Sequence, residues 1–223
     1  MSVKLLLKAL AFFLGGMIFI GFLLFLPAGT LHFPTGWLLL GVVFLPMLAA
    51  GVVLMLKNPQ LLKKRLSAKE RLGEQQLVIK LSAIMFVIGF VLSGLDYRFS
   101  ISQLPGWVSL LSAALYLLGY AFYAEVLREN AWLSRTIEIQ EGQQVVDTGL
   151  YAIVRHPMYS ATLLLFLSMP LILGSLVAFF CFLCYPAIIV KRIRSEEALL
   201  ERELHGYAAY KQKVKYRLIP YIW

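Results

Sequence analysis

Residues 160–190 read SATLLLFLSMPLILGSLVAFFCFLCYPAIIV, a run without one charged side chain. The fold turns on whether this run crosses a membrane once or folds back on itself, and the charges around it decide. None of the 21 Lys and Arg lies in the 27–35 loop, and only Arg98 lies in the 96–106 loop. The others cluster at the N-terminus, in the 57–80 stretch, in the 128–156 connection and in the tail after 190. Basic residues mark cytoplasmic loops, so both termini and both long connections are expected in the cytoplasm. An even number of crossings must then separate the 128–156 connection from the tail. The run therefore reads as a hairpin of two helices. It bends between Met169-Pro170 and Gly174, because proline lacks a backbone donor and clashes with the preceding turn. The first arm, 160–173, is short for a full crossing and is re-entrant or tilted. The second arm continues past the membrane as KRIRSEEALLERELHG, a strong helix former ending at Gly206.

Outward from the hairpin, apolar segments recur at about 5–26, 36–56, 77–95 and 107–127. Each is close to the ~20 residues that span 30 Å of hydrocarbon. With 60% hydrophobic residues overall, against about half in a soluble domain, the fold class is all-α and polytopic. It comprises four transmembrane helices plus the C-terminal hairpin, about six membrane segments. The stretch after 56 carries Lys57, Lys63, Lys64, Arg65, Lys69 and Arg71 around Leu62, Leu66 and Leu72, a pattern that suits a helix lying along the headgroup surface. The net charge of +9 is placed as topology signals rather than as a basic face interleaved with stacking aromatics, which argues against a nucleic-acid partner. Lys4 and Lys8 ahead of an apolar run resemble a signal peptide, but the run is too long and ends at Leu26-Pro27 without a small-residue cleavage motif; it reads as a retained first helix. Cys181 and Cys184 are spaced like a redox or metal pair, yet no further Cys or nearby His completes a site, so they read as core residues and no metal is expected.

The hairpin is preceded by GLYAIVRHPMYSA, residues 149–161. Pro157 favours the first position of a helix and pushes His156 into an extended conformation at the cap. The amides of Met158, Tyr159 and Ser160 then belong to the unpaired first turn and, with the helix dipole, offer an anion site. Arg155 adds charge, Tyr151 and Tyr159 add aromatic faces, and Gly149 permits a tight turn. The same residues also read as a snorkelling arginine and an interfacial tyrosine belt. A second polar cluster follows on the extended helix: Arg192 and Glu196, four apart and on one face, with Glu197 beside them. Alone they read as a surface ion pair. The hairpin, however, returns Arg192 and Glu196 to face His156 and Tyr159 across a cleft at the membrane surface, which makes a candidate site. Tyr207 and Tyr210 beside Gly206 are placed to close over a ligand, while the tail's other aromatics and lysines read as interfacial anchors.

The strings VVDTGLYAIVRHPMYSA, RIRSEEALL and GYAAYKQKVKYRLIP, separated by a hairpin-length gap, resemble the isoprenylcysteine carboxyl methyltransferase family over roughly residues 136–220. The order RHPxY, hairpin, EExxL, YxxY carries that resemblance; Gly149-Leu150-Tyr151 departs from the Gly-Pro-Tyr frequent in bacterial-looking members. The resemblance implies an integral-membrane methyltransferase using S-adenosylmethionine. It implies cofactor contacts at Gln143, Gln144, Val145, Val146, Tyr151, His156, Pro157, Met158, Tyr159 and Glu196, to which the reading of the two polar clusters adds Gly149, Arg155, Glu197, Tyr207 and Tyr210 as cofactor-binding candidates. It puts Arg192 at the acceptor, with His156 as the candidate base where the acceptor needs one. Residues 128–223 would form the cofactor side. Residues 1–127, which carry no matching motif, would form the acceptor side for a lipophilic or lipidated substrate such as a prenylcysteine-like carboxylate. The site is expected to face the cytoplasm from a bacterial or archaeal inner membrane. Two other readings stay open: an NADPH-dependent sterol-type reductase, which resembles this chain in a His-Pro-x-Tyr motif at a hairpin start, and a non-catalytic lipid-binding scaffold.

Overall fold

The computed structural model describes residues 3–67, 73–133 and 139–223, and these form helices, turns and loops with no strand among them. Lys69, Arg71 and Leu72 of the expected surface helix, and residues 136–138 of the motif stretch, lie outside the described residues. The order is α1 (Val3–Ala28), α2 (Pro34–Lys57), α3 (Pro59–Ser67), α4 (Gly73–Phe99) and α5 (Gly106–Glu129), then a 3-10 turn (Gly149–Ala152), and then α6 (Pro157–Ile172), α7 (Leu176–Phe182), α8 (Tyr185–Glu203) and α9 (Tyr207–Lys213). Helices α1, α2, α4 and α5 and the combined run Leu176–Glu203 are each long and apolar enough to cross a membrane, while α6 is apolar but only 16 residues long. This matches a polytopic helical membrane protein with a short first hairpin arm.

The hairpin turns within the expected stretch, at Gly174, whose φ of 76° is left-handed, but it differs from expectation in two details. Pro170 does not break the helix and stays inside α6. A proline this close to a helix end forfeits one hydrogen bond and can be carried by the remaining turn. The second arm is also not continuous: it breaks at Leu183 and Cys184 before α8 restarts with Pro186 in its first turn. Pro186 cannot donate to the Phe182 carbonyl, so a new start there is the low-cost solution.

One hydrophobic core links both halves of the chain, from Leu24, Phe33 and Leu39 through Phe90 and Tyr116 to Ile172, Phe182 and Ile193. Close packing rests on small residues. A Cβ on Gly89 would lie 2.2 Å from the Phe182 ring, and one on Gly94 would lie 2.5 Å from the Leu24 carbonyl. At the hairpin-turn end, Asp96 is buried and acts as a clasp. It accepts from the Ser102 amide at 2.6 Å, from the Ser102 hydroxyl at 2.7 Å and from the Ser175 hydroxyl, while Ser175 Oγ in turn accepts the Ala178 amide and caps α7. Thr35 Oγ1 adds a bond to the Leu173 carbonyl at 3.1 Å. The hairpin turn is thereby fixed at one end of the bundle, and the start of α6 and the end of α8 are left together at the other.

Candidate functional site

The site begins with the turn ahead of α6. Gly149 has φ 55°, and a Cβ there would lie 1.9 Å from Glu129 Oε1. The glycine thus makes room for the Glu129 carboxylate, whose Oε2 accepts the Leu150 amide at 2.8 Å. Helix α6 starts as the sequence suggests, with His156 at the cap (φ −128°) and Pro157 in the first turn. The anion site expected there is mostly filled by the chain itself: the Tyr159 and Ser160 amides donate to the His156 carbonyl at 3.0 and 3.2 Å. Only the Met158 amide is left from the expected trio.

The segment 214–218 straps this helix start. The Arg155 and His156 amides donate to the Tyr216 and Arg217 carbonyls, both at 2.9 Å. Arg155 Nη1 donates to the Val214 and Lys215 carbonyls, and Ser160 Oγ to that of Leu218 at 2.6 Å. Below the strap sits Glu197. Its carboxylate accepts from Arg155 Nε at 2.8 Å, Arg217 Nε at 2.9 Å and His156 Nε2 at 3.2 Å, with Glu197 and Arg155 side chains only 4% and 3% exposed. A carboxylate is an acceptor only, so the His156 Nε2 carries the proton in that contact. A base at His156 would therefore have to act through Nδ1.

Glu196, one residue earlier, turns the other way. Tyr159 donates its hydroxyl to Glu196 Oε2 at 2.5 Å and receives Arg192 Nε at 2.9 Å. The Arg192 guanidinium also lies 5.9 Å from the Tyr159 ring centroid, within cation–π range. Arg192, Glu196 and Tyr159 thus form one hydrogen-bonded triad between α8 and α6.

These groups line a cavity of about 820 Å³, counting the open space at its mouth. Of the residues singled out from sequence, Gln143, Gln144, Val145, Val146, Tyr151, Arg155, His156, Met158, Tyr159, Arg192, Glu196, Tyr207 and Tyr210 reach its wall. Gly149, Pro157 and Glu197 do not. Gly149 shapes the turn, Pro157 is buried in the helix start, and Glu197 acts behind the wall by holding Arg155 and His156. Asn130, Trp132, Leu133, Leu200 and Leu204 line the cavity without having been singled out. Asn130 and Trp132 sit in the polar connection, where an asparagine and a tryptophan just after α5 were the available signal. Asn130 Nδ2 donates to the Tyr151 hydroxyl at 2.9 Å, and Tyr210 donates its hydroxyl to the Tyr151 carbonyl at 2.7 Å. Burial pushes the Tyr151 phenol up to about 12 despite the Asn130 bond, which works the other way.

The cavity can hold a soft or diffuse cation, since it combines a carboxylate with tyrosine faces. It can also hold an anion beside Arg192. Among the described residues no group of three or more His, Cys, Asp or Glu is placed to hold a metal ion; the thiols of Cys181 and Cys184 are free, and Cys181 points its Sγ to the Met85 carbonyl at 3.8 Å. A second hollow, wholly apolar, lies between α1, α2 and α3, lined by Leu10, Phe13, Phe44, Met55, Leu62 and Leu66 among others.

Among comparisons with known proteins, the family match falls on this same region. The phospholipid methyltransferase (PEMT) family model matches residues 107–206. Among curated proteins, a Delta(14)-sterol reductase of Mus musculus is 34% identical over 91 residues, covering 40% of this chain and 22% of the relative. A Delta(14)-sterol reductase of Methylotuvimicrobium alcaliphilum is 25% identical over 136 residues, covering 54% of this chain and 32% of the relative. The chain thus spans about a fifth to a third of the length of the curated relatives it matches. The family match supports a membrane methyltransferase at the family level.

Proposed function

Taking as premise that residues 107–206 match the phospholipid methyltransferase family, we propose that this protein transfers the methyl group of S-adenosylmethionine to a lipophilic acceptor, with the carboxylate of a prenylcysteine-like compound as the favoured case. The observation that carries this is the triad at the start of α6: one tyrosine hydroxyl joins Glu196 and Arg192 on the cavity wall, so an acidic and a basic function are held side by side. The residues present fit the cofactor, because the wall offers a carboxylate, amide side chains from Gln143 and Gln144, and tyrosine faces.

S-adenosylmethionine, when bound, supplies an electrophilic methyl on a sulfonium, and the chain's residues do the rest. Glu196 accepts hydrogen bonds from hydroxyl or ammonium groups. Tyr151 and Tyr159 present aromatic faces to positive charge. Arg192 holds the acceptor carboxylate, and that carboxylate needs no base to attack. Catalysis on this account is positioning and exclusion of water. Residues 128–223 form the cofactor side. Residues 1–127 form the acceptor side, a placement supported by the lipid-facing surface of α1 and α2 and their apolar hollow. Both termini and the cavity mouth face the cytoplasm on this reading, a sidedness supported by the distribution of the 21 basic residues, and the membrane is taken to be a bacterial or archaeal inner membrane.

Titration calorimetry with S-adenosylhomocysteine in nanodiscs tests the reading. Binding is expected in the wild type and weakened in Glu196→Gln. Arg192→Ala should bind normally but lose turnover. No binding by the wild type would sink the proposal. The sterol reductase relatives favour a second reading, an NADPH-dependent reductase using the same cavity. Thermal protection by NADPH and none by S-adenosylhomocysteine would select it.

A further inference from the structure

Tyr207 opens α9, is 4% exposed and lines the cavity. Its hydroxyl is the one buried side-chain nitrogen or oxygen without a hydrogen-bond partner among the described residues. The other tyrosines around it are satisfied. Tyr210 donates to the Tyr151 carbonyl, Tyr159 to Glu196, and Tyr151 accepts from Asn130. Nor is the Tyr207 ring loose. It packs 5.7 Å from the Tyr210 ring in a small cluster with Leu204 and Val214. A fixed, buried and unpaired hydroxyl is rare in native chains because nothing replaces the water it gave up. Placed on the wall of a binding cavity, it reads as a donor kept for a ligand.

The surroundings narrow what that ligand presents. Burial, and after it the charges of Glu197 and Glu196, hold the phenol protonated far above its ordinary range, so Tyr207 is a donor. Glu196 stands on the same wall, its Oε2 accepting from Tyr159. A ligand ammonium satisfies the carboxylate but cannot accept from the phenol. A ligand carboxylate accepts from the phenol but is repelled by Glu196 and Glu197. A hydroxyl does both.

We propose that Tyr207 donates to a sugar hydroxyl of the bound nucleoside cofactor, the same hydroxyl group or its vicinal neighbour donating to Glu196. This rests on the cavity being the cofactor site and adds the part of the cofactor it recognises at this wall. The test compares Tyr207→Phe and Tyr210→Phe by thermal unfolding without ligand and by calorimetry with S-adenosylhomocysteine and its 2′-deoxy and 3′-deoxy analogues.

Tyr207→Phe is expected to unfold at or above the wild-type temperature, whereas Tyr210→Phe unfolds lower because it strands the Tyr151 carbonyl. Affinity of Tyr207→Phe for S-adenosylhomocysteine should fall about five- to tenfold, the worth of one neutral hydrogen bond. One deoxy analogue should lose a similar factor in the wild type and nothing further in Tyr207→Phe. Unchanged affinity in Tyr207→Phe overturns the proposal while leaving the cofactor site standing. Destabilisation of Tyr207→Phe matching that of Tyr210→Phe overturns it as well, since the hydroxyl would then serve the fold. No binding of S-adenosylhomocysteine by the wild type overturns both this proposal and the function on which it rests.

Discussion

Replacing Glu197 by alanine removes the one acceptor shared by Arg155, His156 and Arg217. Arg155 is left 3% exposed with its Nε unpaired, although Nη1 keeps the Val214 and Lys215 carbonyls. Breaking a buried ion pair from one side costs about 3–5 kcal/mol, because the surviving charge stays desolvated. Arg217, 28% exposed, can turn to water and adds little. For a chain of this size each kcal/mol moves the unfolding temperature by about 2–4 °C, so Glu197→Ala should unfold roughly 10 °C below the wild type. Glu197→Gln keeps one acceptor oxygen and should fall between the two. Glu196→Gln, altered on the neighbouring residue but on the cavity side, should stay within about 1 kcal/mol. The assay is thermal unfolding of purified protein in nanodiscs, read by intrinsic fluorescence. An unfolding temperature for Glu197→Ala within 2 °C of the wild type, the ~1 kcal/mol range of a surface change, would refute the reasoning, as would equal losses in the two glutamate variants.

The remaining expectations are smaller in scope. Gly149→Ala should lose about 1–3 kcal/mol, because its φ of 55° strains an L side chain and the new Cβ would collide with Glu129; chemical denaturation reads it. Gly89→Ala should cost about 1–3 kcal/mol by forcing the Phe182 ring off its 2.2 Å approach, and Phe182→Leu should relieve part of that loss. Asp96→Ala strands the Ser102 amide and the Ser175 hydroxyl and should cost about 3 kcal/mol, with protease sensitivity appearing at the hairpin turn. Tyr151 should remain un-ionised to about pH 12 rather than the ordinary 10. Its contribution to stability is therefore complete below pH 10 and fades as pH rises through 12, an outcome checked by comparing ultraviolet titrations of the wild type and Tyr151→Phe.

Charge asymmetry made the fold-back of residues 160–190 readable: two loops almost free of Lys and Arg against two rich in them called for an even number of crossings there, and α6 and α8 do meet at one end of the bundle. The same hairpin returned Arg192 and Glu196 to His156 and Tyr159, and their spacing of one helical turn put both on one face; the structure adds that the Tyr159 hydroxyl bonds to each. What the residues alone could not say is which way Glu197 points. It adjoins Glu196 in sequence but lies about 100° around the helix, and that rotation separates a wall residue from one buried behind the wall. Asn130, Trp132 and Leu133 were missed because an irregular connection has no period to read. The break before α8 was within reach, since Pro186 obeys the reasoning applied to Pro170. The first-turn amides were misjudged because a cap carbonyl can take the Tyr159 and Ser160 donors itself.

The strap over the start of α6 has a bearing on how the protein is made. Arg155 and His156 find their carbonyl partners some sixty positions later, at 214–217. On the ribosome helices α1 to α8 have therefore been synthesised before those partners exist. A nascent chain halted ahead of residue 214 would carry helices α1 to α9 and the Glu197 partner of Arg155, yet lack the four backbone carbonyls that hold Arg155 and His156 from the other side, so threading of these helices and closure of the strap are separate steps.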